Sequence, residues 1–176
     1  MGLRLYITKR ITRHRIRRFV RSMASSPFRS HDVLDVGAGY RSNFRELGGW
    51  PYHTLDSNKD LKPTYVADAM NMKAVPNEYY GTVICTEVLE HLWCPEAAVR
   101  ECKRVLRPGG LLILTVPFWY PIHEKDYQFD YFRFTPRSMR WLLNRCGFNI
   151  LSCEQSNRGI RPTGIFAAAL KPQKGV

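Results

Sequence analysis

The stretch Val33-Leu34-Asp35-Val36-Gly37-Ala38-Gly39 decides the fold. Three apolar residues and one acid make a short strand. Two glycines then close it, and glycine lets a backbone turn tightly and approach a ligand. A strand that ends this way and leads into a helix is the opening unit of a doubly wound sheet, whose ligands lie outside the carboxyl ends of its strands. Asp56 follows 21 residues after Asp35, at the end of a second apolar run from Tyr52 to Leu55. A carboxylate there can accept both hydroxyl protons of a ribose. A dinucleotide fingerprint, G-x-G-x-x-G, needs glycine at position 42, where the chain has Ser42, so that reading fails.

Further on, strand and helix patterns alternate. Tyr65 to Ala67 and Thr82 to Cys85 give a third and a fourth strand. Pro95 opens a helix with Ala98, Cys102, Val105 and Leu106 on one face, and Arg107-Pro108-Gly109-Gly110 stops it. Leu111 to Val116 is the most apolar strand, as a central parallel strand must be. Thr135 and Pro136 start another helix with the stripe Met139, Leu142, Leu143 and Cys146, ended by Gly147. Phe148 to Cys153 and Ile165 to Leu170 supply the last strands. The expected architecture is α/β: a doubly wound, Rossmann-like, mostly parallel seven-stranded sheet with helices on both faces, in a single domain.

Before Asp32 the chain is different. Residues 1–31 hold nine of the 27 Lys and Arg and no Asp or Glu, which leaves 18 basic against 15 acidic groups in the rest. The net charge of +12 therefore belongs mostly to this arm. Leu3, Ile7, Ile11, Ile16, Phe19, Val20 and Met23 recur at helical spacing, so residues 1–31 are expected to form a basic amphipathic helix or arm ending near Ser25-Ser26-Pro27, and 32–176 the main domain. Residues 1–25 can adhere to an anionic membrane surface; nucleic acid is a less favoured partner because the body is nearly neutral. The arm can equally pack its apolar side on the domain as a lid.

The five cysteines, Cys85, Cys94, Cys102, Cys146 and Cys153, form no C-x-x-C pair. Neither a disulfide framework nor a zinc site is expected, so no metal is assigned and a reducing, cytoplasmic setting follows, with membrane attachment through the arm as a peripheral variant. The start of the chain lacks the continuous apolar run of a secretory leader.

Five motifs in order carry a family likeness: Val33 to Gly39; Asp56; Ala67-Asp68-Ala69; Thr86-Glu87-Val88-Leu89-Glu90-His91-Leu92; and Arg104 to Gly110. Over residues 32–170 the chain closely resembles the class I S-adenosylmethionine-dependent methyltransferases, and within them the type 11 group. The resemblance implies that Asp35, Gly37, Ala38 and Gly39 line the methionine part of the cofactor and that Asp56 holds its ribose. It implies that Asp68 and Ala69 meet the adenine and that Glu87 lies near the methionine moiety. The chain departs from the family at Arg41, where a third glycine is common, and Tyr40 to Phe44 matches only partly the G-x-x-P-Y-R segment of some relatives.

The stretch from Pro117 to Phe134 holds eight aromatics together with His123, Glu124, Asp126, Asp130 and Arg133. Long connections at a strand's carboxyl end are often functional lids. The run His123…Asp126-Tyr127…Tyr131-Phe132-Arg133-Phe134-Thr135-Pro136 is similar to the H-x-x-P-x-D-Y-x-R-Y-T-P stretch of type 11 relatives. Transfer of a methyl group to a hydroxyl needs a base. His123 is the leading candidate because imidazole titrates near neutrality, with loop ordering through a backbone hydrogen bond as its other reading. Tyr127 is a candidate hydrogen-bonding partner of the acceptor. Arg133 is expected to pair with Asp126 or Asp130, and Glu90 and His91 to buttress the turn after the fourth strand. The acceptor expected is a small molecule or a glycan. The alternatives are a nucleic-acid methyltransferase using the arm, and a cofactor-binding protein without catalysis.

Overall fold

Strands β1 (Val33–Val36), β2 (Tyr52–Asp56), β3 (Tyr65–Val66), β4 (Tyr80–Thr86), β5 (Leu106–Pro117), β6 (Asn149–Gln155) and β7 (Gly164–Leu170) form one sheet in the order β3-β2-β1-β4-β5-β7-β6. They come from a computed structural model that describes residues 2–25, 32–39, 51–124, 129–156 and 162–173, with side chains from Thr12 onward. The first five strands are parallel, and β7 inserts antiparallel between β5 and β6. The expected doubly wound, mostly parallel, seven-stranded sheet is the one observed.

Side-chain alternation along the central strands sorts the core into two layers. Leu34, Val36, Val83, Cys85, Leu112, Leu114 and Val116 belong to one cluster. It also takes the inner faces of α2 (Pro95–Val105) and α3 (Pro136–Arg145), through Ala98, Val99, Cys102, Met139, Leu142 and Leu143. Val33, Ile84, Leu111 and Ile113, one residue out of phase, belong to the other. That layer is closed by α1 (Gly2–Ala24), whose Ile16 and Val20 are buried and whose Phe19 ring lies 5.2 Å from that of Phe166. Burying each of these aliphatic side chains contributes about 1.5–3 kcal/mol. The basic helix is thus a structural layer of the sheet, ending at Ala24.

Local chemistry sets the element ends. In α3, Thr135 accepts from the Ser138 N–H at 3.1 Å while the Ser138 hydroxyl accepts from the Thr135 N–H at 2.9 Å, with Pro136 at the first helical position. Strand β5 starts five residues earlier than the apolar run suggested, directly after α2. Leu106 pairs with Tyr80, the register then shifts, and Leu111 pairs with Thr82. Pro108 has no N–H for the ladder, and Gly109 has φ +75°, so the tetrapeptide that stops the helix becomes a bulge in the strand. No helix among the described residues is long and apolar enough to cross a membrane.

The chain runs outward from β1 through β2 to β3 and returns to β4 on the other side of β1. That reversal is the switch point of the sheet, where an open α/β fold leaves a crevice at its carboxyl edge.

Candidate active site

At the carboxyl end of β1 the Gly37 and Ala38 N–H groups donate to the Leu55 carbonyl at 2.8 and 3.3 Å, which ties the turn to β2. Gly37 and Gly39 have φ of +69° and +61°, a region costly for any residue with a Cβ. The two differ in surroundings. A Cβ on Gly37 would collide with the Val88 side chain, whereas one on Gly39 would meet nothing within 4 Å among the described residues. Gly37 is therefore a packing requirement, and Gly39 borders space that no described residue fills.

Asp56 ends β2 beside that space. One carboxylate oxygen accepts from the Gly39 N–H at 2.9 Å and the other from the Asn58 N–H at 2.9 Å. Each oxygen keeps a second lone pair for a ligand hydroxyl. Beyond β3, Asp68 accepts from the Met70 N–H at 2.8 Å, and Ala69 is buried. The Ala67 N–H donates to the Asp56 carbonyl at 3.1 Å, so the two acids share one rim.

Asp35 sits inside β1, not in the loop, and is 2% exposed. The Tyr52 hydroxyl donates to it at 2.5 Å. Burial pushes its carboxyl up to about 7; the Tyr52 hydrogen bond works against this, and the charge of Asp56 works with it. An open glycine turn, a carboxylate with two spare lone pairs and a buried acid beside it suit a ligand with a ribose diol and positive charge. S-adenosylmethionine has both, so the residues present fit that cofactor. The segment from Tyr40 to Phe44 lies outside the described residues.

A second group of acids lies at the end of β4. Glu87 has φ +55°, and its N–H donates to the Thr115 carbonyl at 2.9 Å. Its carboxylate accepts from the Thr115 hydroxyl at 2.9 Å. Burial pushes this carboxyl up to about 7, against the pull of Thr115 and the positive charge of Arg133. One turn on, a short 3-10 helix (Leu89–His91) places Glu90 at 0% exposure. Neither carboxylate oxygen of Glu90 has a hydrogen-bond partner among the described residues. Burial and the neighbouring Glu87 hold its carboxyl well above the usual range.

The stretch after β5 docks on this turn. The Tyr131 and Phe132 N–H groups donate to the Glu90 carbonyl at 2.7 and 3.3 Å, and His91 Nδ1 lies 2.6 Å from the Phe129 carbonyl oxygen. Arg133 forms a two-pronged pair with Asp130, one prong at 2.6 Å, and holds that carboxyl down at about 2. Of the two partners expected for Arg133, Asp130 is observed and Asp126 lies outside the described residues. The same carboxylate accepts from the His123 N–H at 3.1 Å and lies 3.2 Å from His123 Nδ1. Nδ1 is also 3.2 Å from the Pro121 carbonyl oxygen. The His123 ring meets those of His91 and Tyr120 edge-on, each with centroids 5.0 Å away.

Asp35, Gly37, Ala38, Gly39, Asp56, Asp68 and Ala69 are thus gathered around the ends of the first three strands. Glu87 stands at the end of β4, and His123 stands over His91. Tyr127 lies outside the described residues. Two partners of these acids, Tyr52 and Thr115, carry no signal in the sequence, because each is an ordinary strand residue that happens to face an acid. Glu90 and His91 were legible as a motif, but their joint position under His123 was not.

Residues 8–153 match the methyltransferase domain family. A thiol S-methyltransferase of Mus musculus is 41% identical over 59 residues, 34% of this chain and 22% of that protein. A ubiquinone biosynthesis O-methyltransferase of Klebsiella pneumoniae is 32% identical over 96 residues, 44% of this chain and 39% of that protein. The chain thus spans well under half the length of these curated relatives. Among solved structures, the 1,6-didemethyltoxoflavin-N1-methyltransferase of Burkholderia thailandensis, with S-adenosylhomocysteine bound, superposes with a TM-score of 0.72 at 15% identity, over 90% of this chain and 79% of that one. With its sheet order, its glycine turn and the acid ending β2, the chain belongs to the methyltransferase domain family, in the class I branch that uses S-adenosylmethionine.

Proposed function

We propose that this chain transfers a methyl group from S-adenosylmethionine to a hydroxyl of a small molecule or glycan. The observation that carries the reading is the adjacency of two half-sites across the switch point. The open turn at Gly39 with Asp56 lies on one side, and the segment carrying His123 lies over the end of β4 on the other. When bound, the cofactor supplies an activated methyl group on a sulfonium. The protein's part is to align the acceptor and exclude water.

In this reading Asp56 takes the ribose hydroxyls, Gly37 to Gly39 and Asp35 line the methionine part, Asp68 and Ala69 meet the adenine, and Glu87 borders the methionine moiety. The Asp130 carboxylate, kept ionised by Arg133, holds His123 Nδ1. Nε2 is then left to take a proton from the acceptor hydroxyl. Tyr127 is assigned a hydrogen bond to the acceptor. The similar proteins are named for transfer to sulfur, oxygen and nitrogen, so they do not choose the atom; the His123–Asp130 pair, suited to proton removal, is what favours oxygen. A screen of S-adenosylhomocysteine formation against glycan, lipid and small phenolic fractions identifies the acceptor. Full turnover of His123→Ala on that acceptor would reject the base.

A basic helix gives a second, compatible reading, attachment to an anionic membrane. Arg13, Arg17, Arg18 and Arg21 are exposed, while the apolar residues Ile16 and Val20 face the sheet. With that face occupied, adhesion by this part of α1 rests on charge and must weaken with salt. Arg17→Glu with Arg18→Glu should abolish salt-sensitive binding to vesicles containing phosphatidylserine. Unchanged binding would remove the helix from that role.

A further inference from the structure

We propose that Glu90, His91 and His123 form a binding site for one divalent transition-metal cation, bridging the turn after β4 to the segment after β5. One donor atom from each lies within 4.8 Å of the other two. The cysteine spacing gave no hint of it, because the site contains no cysteine and its third donor is 32 residues away in the chain.

Three features favour a cation over a simple buttress. First, Glu90 is fully buried, and both its oxygens lack hydrogen-bond partners among the described residues. An unpaired buried carboxylate is costly. A proton alone is a poor remedy, since the acid hydroxyl then needs an acceptor, and His91 Nε2 stands 3.5 Å away. A cation satisfies the charge and the lone pairs together. Second, His91 is poised as a ligand. Its Nδ1 bonds the Phe129 carbonyl, which fixes the proton there and turns the Nε2 lone pair toward Glu90. A backbone carbonyl or carboxylate behind the imidazole is the usual outer partner of a metal-bound histidine. Third, His123 has the same arrangement, with Asp130 behind Nδ1. The positive charge of Arg133 reaches Glu90 through space, but its guanidinium hydrogen-bonds Asp130 and backbone carbonyls and leaves the Glu90 lone pairs unfilled.

One carboxylate and two imidazoles suit borderline ions such as Zn²⁺, Co²⁺ or Mn²⁺. Metal–ligand bonds of about 2.0–2.2 Å place donors closer than they stand here. His123, 40% exposed on the segment after β5, is the donor least enclosed by the core. Three protein ligands leave positions open beside Glu87. An oxygen bound there loses proton affinity. For a hydroxyl acceptor, which rests on the function proposed above, the ion would make the proton easier to lose to solvent, and His123 would then serve as ligand and not as base, because one lone pair cannot serve both.

The test uses the full chain treated with chelator and then titrated with Co²⁺ and Zn²⁺ by calorimetry and visible absorption. The expected result is one ion per chain, with a cobalt d–d spectrum of low-symmetry nitrogen and oxygen coordination. His123→Ala and His91→Ala should each weaken binding more than about tenfold, and Glu90→Gln likewise. His123→Ala lies outside the core, so its result stands even where Glu90→Gln disturbs folding. Absence of stoichiometric binding, or affinity unchanged from wild type in His91→Ala and His123→Ala, overturns the site. Titrating the same metal-free chain with S-adenosylhomocysteine separates the two proposals. Retained nucleoside binding without metal binding removes the ion alone, and lost nucleoside binding in the wild-type chain removes the methyl-transfer reading.

Discussion

The acids at the ends of β2 and β4 solve opposite problems. Asp56 is only partly buried, and both its oxygens are held by N–H groups from nearby loops. Glu90 is buried with no hydrogen bond to its carboxylate among the described residues, four residues past β4. Asp35, buried with the single Tyr52 bond, lies between them. A carboxylate that loop amides satisfy is preformed for a neutral diol. A carboxylate left bare in the core is incomplete until positive charge reaches it. The rim at β1 and β2 is therefore set before any ligand arrives, and the turn after β4 is left short of positive charge.

The strongest way to probe that contrast is through Asp35. Its folded-state value of about 7 stands above the ordinary 3.8, so the folded chain holds a proton that the unfolded chain has lost between those values. Stability from this group is full below about pH 4 and is lost as pH rises through 7. Relative to wild type, Asp35→Asn should gain about 3 kcal/mol in unfolding free energy between pH 5 and pH 8, read from urea midpoints. A pH-independent difference would mean that Asp35 is as well satisfied as Asp56.

Next, Gly37→Ala should destabilise the chain by about 2–3 kcal/mol, from the left-handed backbone and the clash with Val88. Thermal unfolding measures it. Asp56→Ala should weaken S-adenosylhomocysteine binding about 30-fold, or about 2 kcal/mol, in calorimetry; unchanged affinity would place the ribose elsewhere. Gly39→Ala is the mildest for folding, about 1 kcal/mol of backbone strain with no clash. Its larger consequence should be in ligand affinity, since its methyl points into the open space. If Gly39→Ala unfolds the chain as readily as Gly37→Ala, the two glycines are not doing different jobs.

The rim at the ends of β1 and β2 was legible because its contacts are local or repeat a strand-and-turn grammar. A glycine pair after an apolar run and an acid closing the next run appear in the sequence in the order in which they meet in space. Arg133 with Asp130 was legible too, being three residues apart. Tyr52 on Asp35 and Thr115 on Glu87 were not, since the pairs lie 17 and 28 residues apart on different strands. Nor was the role of α1. Its charge pattern suggested a free arm as readily as a packed helix, and only Phe166, Ile84 and Ile113 across the sheet show where its apolar side goes.

By itself the sequence determined the seven-stranded doubly wound sheet, the glycine turn and the family, because apolar alternation, chain-breaking residues and short-range caps are properties of neighbours. Only the tertiary structure decided that the Glu90 carboxylate is buried with no hydrogen-bond partner among the described residues and that His91 and His123 converge on it. Dehydration of a carboxylate depends on everything packed around it, and here that packing comes from the segment after β5, some 40 residues further along the chain.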